Sequence, residues 1–330
     1  MSKAFSTVPE ELAAYQGLEA YRKIENTYLR AVGNAEWLAV AQALMTMESP
    51  VTPYRYDPVS NWDFWVAPGS GAHHRHFGGL AWHTLQNLEY AAAWADVYGT
   101  RGIKINRDLL LTTILIHDVM KRFIYSFDQD FNFIKREDPF IAKQEDHHSW
   151  LLRELAFRGV DRELMLSVAA MHGIDDVTLA QGVQSVAVVN HYLSIGNTRL
   201  EYTADDVRPE HVIAFLSDSN RHWSGQAQHK TEVLANRLAP LFRLNPNYLH
   251  IYLGSRFTYE QIGHYIDEHG YEKAADFIRE AIASNRPQEI VGDSLRYRPL
   301  DHRDHGARDL GARKFGANPP LFRTERKRDR

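Results

Sequence analysis

From Leu109 to Met120 the chain reads Leu-Leu-Leu-Thr-Thr-Ile-Leu-Ile-His-Asp-Val-Met, an apolar run that ends on two adjacent ionisable residues, His117 and Asp118. Leu110, Leu111, Ile114 and Leu115 recur at three- and four-residue steps, so the stretch Arg107 to Lys121 is expected to be a core helix. A core helix that ends on an imidazole and a carboxylate carries both indoors. An unpartnered polar group is costly there, and a charge more so. The fold must therefore supply partners from other elements. Successive helical residues also diverge by about 100°, so His117 and Asp118 can share one target only where the backbone relaxes at a helix end.

Four other places offer partners of the same kind. His83 lies three residues after Leu80 in an expected helix Leu80 to Tyr98, closed by Gly99. His172 ends a helix that Asp161 caps, and Asp218 ends the helix Pro209 to Asp218. His147 or His148 lies in a helical region opened by Asp138 or Pro139 and running to Phe157. If the helices carrying His83 and His117 pack antiparallel, the two imidazoles meet; helices that deliver ligands into a shared core are an established way to build a metal site. The chain has 17 histidines, and most, including His191, His211, His222, His229 and His250, are assigned surface or core roles. His73, His74 and His76 are intermediate, because they sit in the glycine-rich approach to His83. With no cysteine, disulfides, thiolate sites and a Cys nucleophile are excluded. The remaining donors, His and carboxylate, suit Mn, Fe, Ni, Mg or Zn.

The rest of the chain is expected to be mainly α. Residues 9 to 48 read as helix broken at Gly33-Asn34, and 49 to 79 as a Pro- and Gly-rich loop with aromatic anchors Tyr54, Tyr56, Trp62, Phe64 and Trp65. Asn106 caps the core helix, Phe123 to Ile134 reads as a short β-hairpin around Asp128, and Val183 to Leu193 as a further helix. Thr258 to Ala283 reads as a helix pair around His269-Gly270. Four regions follow: 1–59 (N-terminal helices), 60–225 (the His/Asp region), 226–285 (C-terminal helices) and 286–330, a basic, extended or disordered tail. Net charge is −4, yet Arg296 to Arg330 holds 11 Lys/Arg against 5 Asp/Glu, so an acidic body carries a basic tail. A dedicated duplex-DNA binder would be basic throughout. No apolar run approaches the roughly 18 residues of a membrane span and no secretory signal is evident, so a cytoplasmic protein is expected.

The ordered set His83, His117-Asp118, His147/His148, His172, Asp218 resembles the HD-domain superfamily of metal-dependent phosphohydrolases. The local wording adds to this: His74-Arg75-His76-Phe77-Gly78-Gly79-Leu80-Ala81-Trp82-His83, then Asn106-Arg107-Asp108, then His117-Asp118-Val119-Met120-Lys121. Over residues 60 to 225 the chain is most similar to the branch containing 3′-5′ exoribonucleases and relaxase-associated HD domains. The resemblance implies an HD helical bundle holding one or two divalent ions. His83, His117, Asp118 and Asp218 would hold the first, with Asp118 bridging to a second on His147 and His172. Lys121 would contact a substrate phosphate or orient Asp118. Independently of the resemblance, Lys121 with Arg122, or Arg221-His222 just beyond Asp218, is expected to meet the phosphate. Met120 stands where the family commonly has Gly, the Gly-Tyr-Pro signature of cyclic-dinucleotide phosphodiesterases is absent, and the N-terminal region reads as helix rather than the OB-type domain of the exoribonucleases.

The function expected is hydrolysis of a nucleotide or other phosphate ester, mono- or diester, by a metal-bound hydroxide. Two rivals are a 3′-5′ exonuclease or other single-strand nucleic-acid-processing protein, with the tail on the backbone, and a non-catalytic metal-stabilised interaction module. The tail holds few aromatics for base stacking.

Overall fold

Helices make up nearly all the regular structure of the computed structural model, which describes residues 15–47, 60–135, 147–173, 183–196 and 198–283. Tyr54, Tyr56, the helix start at Asp138 or Pro139 and the segment 286–330 lie outside those residues. The elements are α1 (Tyr15–Lys23), α2 (Ala35–Thr46), α3 (Gly79–Thr100), α4 (Arg107–Ile116), α5 (Lys121–Ile124), β1 (Tyr125–Phe127) and β2 (Phe133–Lys135). After them come α6 (His147–Phe157), α7 (Arg162–Gly173), α8 (Val183–Ile195), α9 (Pro209–Asp218), α10 (Arg221–Phe242), α11 (Pro246–Phe257) and α12 (Tyr259–Ala283). The mainly α architecture is as expected, and the strands form one antiparallel hairpin with Ser126 opposite Ile134.

Local chemistry sets most helix starts. The Asn34 side chain accepts from the N–H groups of Glu36 and Trp37, each at 3.1 Å, and α2 begins there. Asn106 Oδ1 accepts from Leu109 N–H at 3.1 Å, and Asp161 Oδ1 from Leu164 N–H at 3.0 Å. Asn34 satisfies two, and Asn106 and Asp161 one each, of the donors that a helix start leaves orphaned. Pro209 opens α9 from a position where its missing N–H costs nothing. In α12 Gly270 is non-helical, with φ +82° and ψ 165°, which divides the element where His269-Gly270 suggests.

Three helix ends depart from the sequence reading. α3 passes through Gly99, and the left-handed position is taken by Gly102 at φ +78°, with Ile103 N–H on Tyr98 O at 3.2 Å. α4 stops at Ile116 instead of continuing to Lys121. Residues 117 to 120 form a turn in which Val119 N–H bonds Ile116 O and Lys121 N–H bonds Asp118 O, the tighter i to i+3 pattern of a closing helix. The N-terminal helix also leaves α geometry: Ile24–Tyr28 is a π-turn and Leu29–Ala31 a 3₁₀-turn.

The segment from Ser60 to Gly78 has no regular structure but is firmly built in. Trp62 and Phe64 are buried as anchors. At its end, Gly78 has φ +83°, and a side chain on Gly79 would put its Cβ 2.0 Å from the carbonyl oxygen of His74. Only glycine allows that approach. α1 closes over the same segment at Gly17, whose Cβ would stand 2.2 Å from Trp65 O.

Two apolar clusters result. The larger joins α1 to α4 and α6 to α9, and the smaller is built from α10, α11 and α12. α10 runs unbroken through residue 225, where the sequence reading divides the His/Asp region from the C-terminal helices. No helix among the described residues is long and apolar enough to cross a membrane.

Candidate metal centre

His83 comes from α3, His117 and Asp118 from the turn after α4, His147 from the start of α6, His172 from the end of α7, and Asp218 from the end of α9. All six converge. His83 Nε2 lies 3.2 Å from Asp118 Oδ2 and 2.9 Å from Asp218 Oδ1, and His117 Nε2 lies 3.3 Å from Asp118 Oδ2. The second carboxylate oxygen of Asp118 faces another pair: Oδ1 is 3.2 Å from His147 Nε2 and 3.9 Å from His172 Nε2. Asp218 Oδ2 is 3.7 Å from His172 Nε2. The turn that ends α4 early is what lets two adjacent residues point at one centre.

Tautomers can be read from the hydrogen bonds. His117 Nδ1 lies 2.7 Å from the carbonyl oxygen of Ile114, so Nδ1–H donates and Nε2 keeps its electron pair. That Nε2 is buried and makes no hydrogen bond; nor do Asp118 Oδ1 and both ring nitrogens of His147. Each such orphan costs about 1–3 kcal/mol. Divalent cations would satisfy His117 Nε2, Asp118 Oδ1 and His147 Nε2, the ring nitrogen that faces Asp118, and a purely nitrogen and carboxylate-oxygen donor set matches such ions. One ring nitrogen or carboxylate oxygen from each of His83, His117 and Asp218 lies within 4.8 Å of the others, and the same holds for His117, Asp118 and His172.

Charge states agree with this. Burial opposes ionisation of Asp118, but His117 and Lys121 outweigh it and hold the carboxyl well below its usual range. Asp218 is likewise held low against its burial, chiefly by the hydrogen bond from His83. Burial and then His148 push His172 well below an ordinary histidine, toward the neutral form that ligates. Burial opposes the charge on His83 too, but hydrogen bonds to Asp118 and Asp218 outweigh it and raise its pKa above that of an ordinary histidine.

Lys121, buried in α5, has its Nζ 2.5 Å from Asp118 Oδ2. Arg122 was expected at a phosphate and is elsewhere. Its guanidinium is buried and donates to Trp62 O at 2.6 Å and Met45 O at 2.9 Å, because the preceding turn directs it into the loop and α2. Arg221 and His222, at the start of α10, line an open groove with Ala72, His73, His229 and Lys230. Of the alternatives at 147 and 148, His147 is the one near Asp118; the His148 ring packs on those of His172 and Tyr192, at 4.5 and 4.8 Å.

Sequence reasoning missed Asn87. Its Nδ2 donates to Asp218 Oδ1 at 3.1 Å and lies 3.2 Å from His83 Nε2. The available signal was a polar residue four positions after His83 on a helix face that is otherwise buried.

No family model matches the chain, and no solved structure matches it. One curated relative is the dihydroneopterin 2′,3′-cyclic phosphate phosphodiesterase of Methanocaldococcus jannaschii, 30% identical over 133 residues, which are 40% of this chain and 51% of that protein. The chain thus spans about half the length of the relative it matches.

Proposed function

We propose that this chain is a metal-dependent phosphohydrolase of the HD type, and that its substrate is a small phosphodiester, with a nucleotide or cyclic phosphate as the leading class. The observation that carries this reading is the two-sided environment of Asp118, with His83, His117 and Lys121 at one carboxylate oxygen and His147 and His172 at the other. The similarity to a phosphodiesterase supports the choice of a diester. His83, His117, Asp118 and Asp218 would hold one divalent ion, and Asp118, His147 and His172 would hold a second. When bound, such ions supply the positive charge that polarises a phosphoryl oxygen and acidifies water enough for attack at neutral pH.

The chain's own groups supply the rest. Asp118 and Asp218 enter the site already ionised, and the Ile114 carbonyl keeps the His117 electron pair directed inward. Lys121 holds Asp118 in place and offsets its charge. Arg221, on the wall of the groove, offers a phosphate oxygen a charge-assisted hydrogen bond.

The test is a substrate panel. Protein stripped with chelator and reconstituted with Mn, Fe, Ni, Mg or Zn is assayed on bis-p-nitrophenyl phosphate, p-nitrophenyl phosphate, a 2′,3′-cyclic nucleotide and a short single-stranded oligonucleotide. Ion-dependent cleavage of the small diesters is expected. Cleavage of the oligonucleotide alone establishes the exonuclease reading instead, and bound ion with no turnover establishes a metal-stabilised module.

A further inference from the structure

We propose that His73 and His74 form an additional cation site on the His83 side of the centre, kept ready by Glu260 of α12. The inference rests on the centre at Asp118 being a metal site, and it adds ligands outside that set.

The argument begins with a hydrogen-bond chain. His74 Nε2 lies 2.6 Å from Glu260 Oε1, and both side chains are buried. An ionised carboxylate only accepts, so His74 donates from Nε2, and the neutral ring then has its electron pair on Nδ1. That Nδ1 stands 2.9 Å from Nδ1 of His73. Two ring nitrogens so close must share either a proton or a cation. Nitrogens bound at right angles to one octahedral ion, with bonds of about 2.1 Å, stand about 3 Å apart, and around a tetrahedral Zn about 3.4 Å apart. The third member is His83, whose ring lies 5.0 Å from that of His73 and 5.3 Å from that of His74. One nitrogen from each of the three rings falls within 4.8 Å of the others.

The surroundings favour a ligand over a simple loop staple. A carboxylate that fixes the far nitrogen of an imidazole is the usual outer partner of a metal-ligating histidine. The segment is also clamped from the C-terminal helices. Tyr259 Oη donates to Arg75 O at 2.8 Å, Arg75 N–H donates to Gln228 Oε1 at 2.9 Å, and Gln228 Nε2 donates to Gly71 O at 3.0 Å. His74 itself is held in the left-handed region at φ +56°, a conformation that survives only where neighbours enforce it. Such restraint holds ligand atoms in place before the ion arrives. His73 borders the open groove, which gives the ion a way in. Three imidazoles select Zn, Ni or Fe over Mg.

The experiment counts Zn²⁺ bound to the full chain by equilibrium dialysis and elemental analysis, with melting curves as the check on folding. Wild type is expected to bind one equivalent more than His73→Gln, a variant whose amide can still donate to His74 but cannot replace the imidazole. Asp118→Ala is expected to keep one equivalent, which Asp118→Ala combined with His73→Gln loses. Glu260→Gln should weaken that equivalent by about 10–100-fold. A natively melting His73→Gln protein with unchanged stoichiometry and affinity overturns the proposal, as does an Asp118→Ala protein that binds none. Because ions are counted, a wild type without phosphodiesterase activity would sink the functional reading and leave this site standing.

Discussion

Between α10, α11 and α12 the interior is filled by Leu234, Leu238, Leu249, Leu253, Phe257 and Ile278, all buried and all apolar. Where α3, α4, α6, α7 and α9 meet, the buried residues include His83, His117, Asp118, His147 and Asp218, several of them with unbonded polar atoms. The apolar residues of the first interior need no further partner, although His250 Nε2, Ser255 Oγ and Glu260 Oε2 on the same helices are buried without a hydrogen bond. The second differs in kind, because its unbonded buried atoms, His117 Nε2, Asp118 Oδ1 and His147 Nε2, converge on one centre where a cation would engage them. Two helical interiors in one chain thus divide the work: one holds helices together, and the other spends stability on readiness to bind.

That contrast can be broken most directly at Asp118. Asp118→Ala should release the ions held between the two imidazole pairs and abolish phosphodiester hydrolysis, as read by elemental analysis and turnover. Retention of full metal content would remove the bridging role. The apolar side is probed by Leu253→Ala, expected to cost about 2–5 kcal/mol in denaturant unfolding. That loss should be independent of Asp118, so the two changes add in the double variant; a clear deviation would mean the interiors are coupled. The finest test is Asn87→Ala. Losing the donor to Asp218 should weaken ion affinity by about 10–100-fold, measured against a competing chelator dye, with little change in the unfolding of the metal-free protein. An unchanged affinity would reduce Asn87 to filler.

Much of this was legible in the sequence because it depends on neighbours along the chain. Asn106, Asp161 and Pro209 mark helix starts through local hydrogen bonds or their absence, and all three helices start there. The order of buried His and Asp residues likewise located the side chains that converge. What escaped depends on contacts between distant segments. Gly99 and Gly102 both suit a helix end, and the choice falls to the fold around them. Arg122 looked like a phosphate ligand beside Lys121, yet the turn after Ile116 sends it to the carbonyls of Trp62 and Met45. His73 and His74 stand out in the sequence only as intermediate candidates near His83, because the residue that orients His74, Glu260, lies in the last described helix.

The ligands enter from four helices and a turn, and Asp218 comes well after the others. A nascent chain that has produced only His83 and the His117-Asp118 pair therefore has no complete claw with which to grip an ion. The ion assigned to His83, His117, Asp118 and Asp218 would gain its full ligand set only once α9 has docked, so occupancy of that position would serve as a chemical receipt for correct assembly.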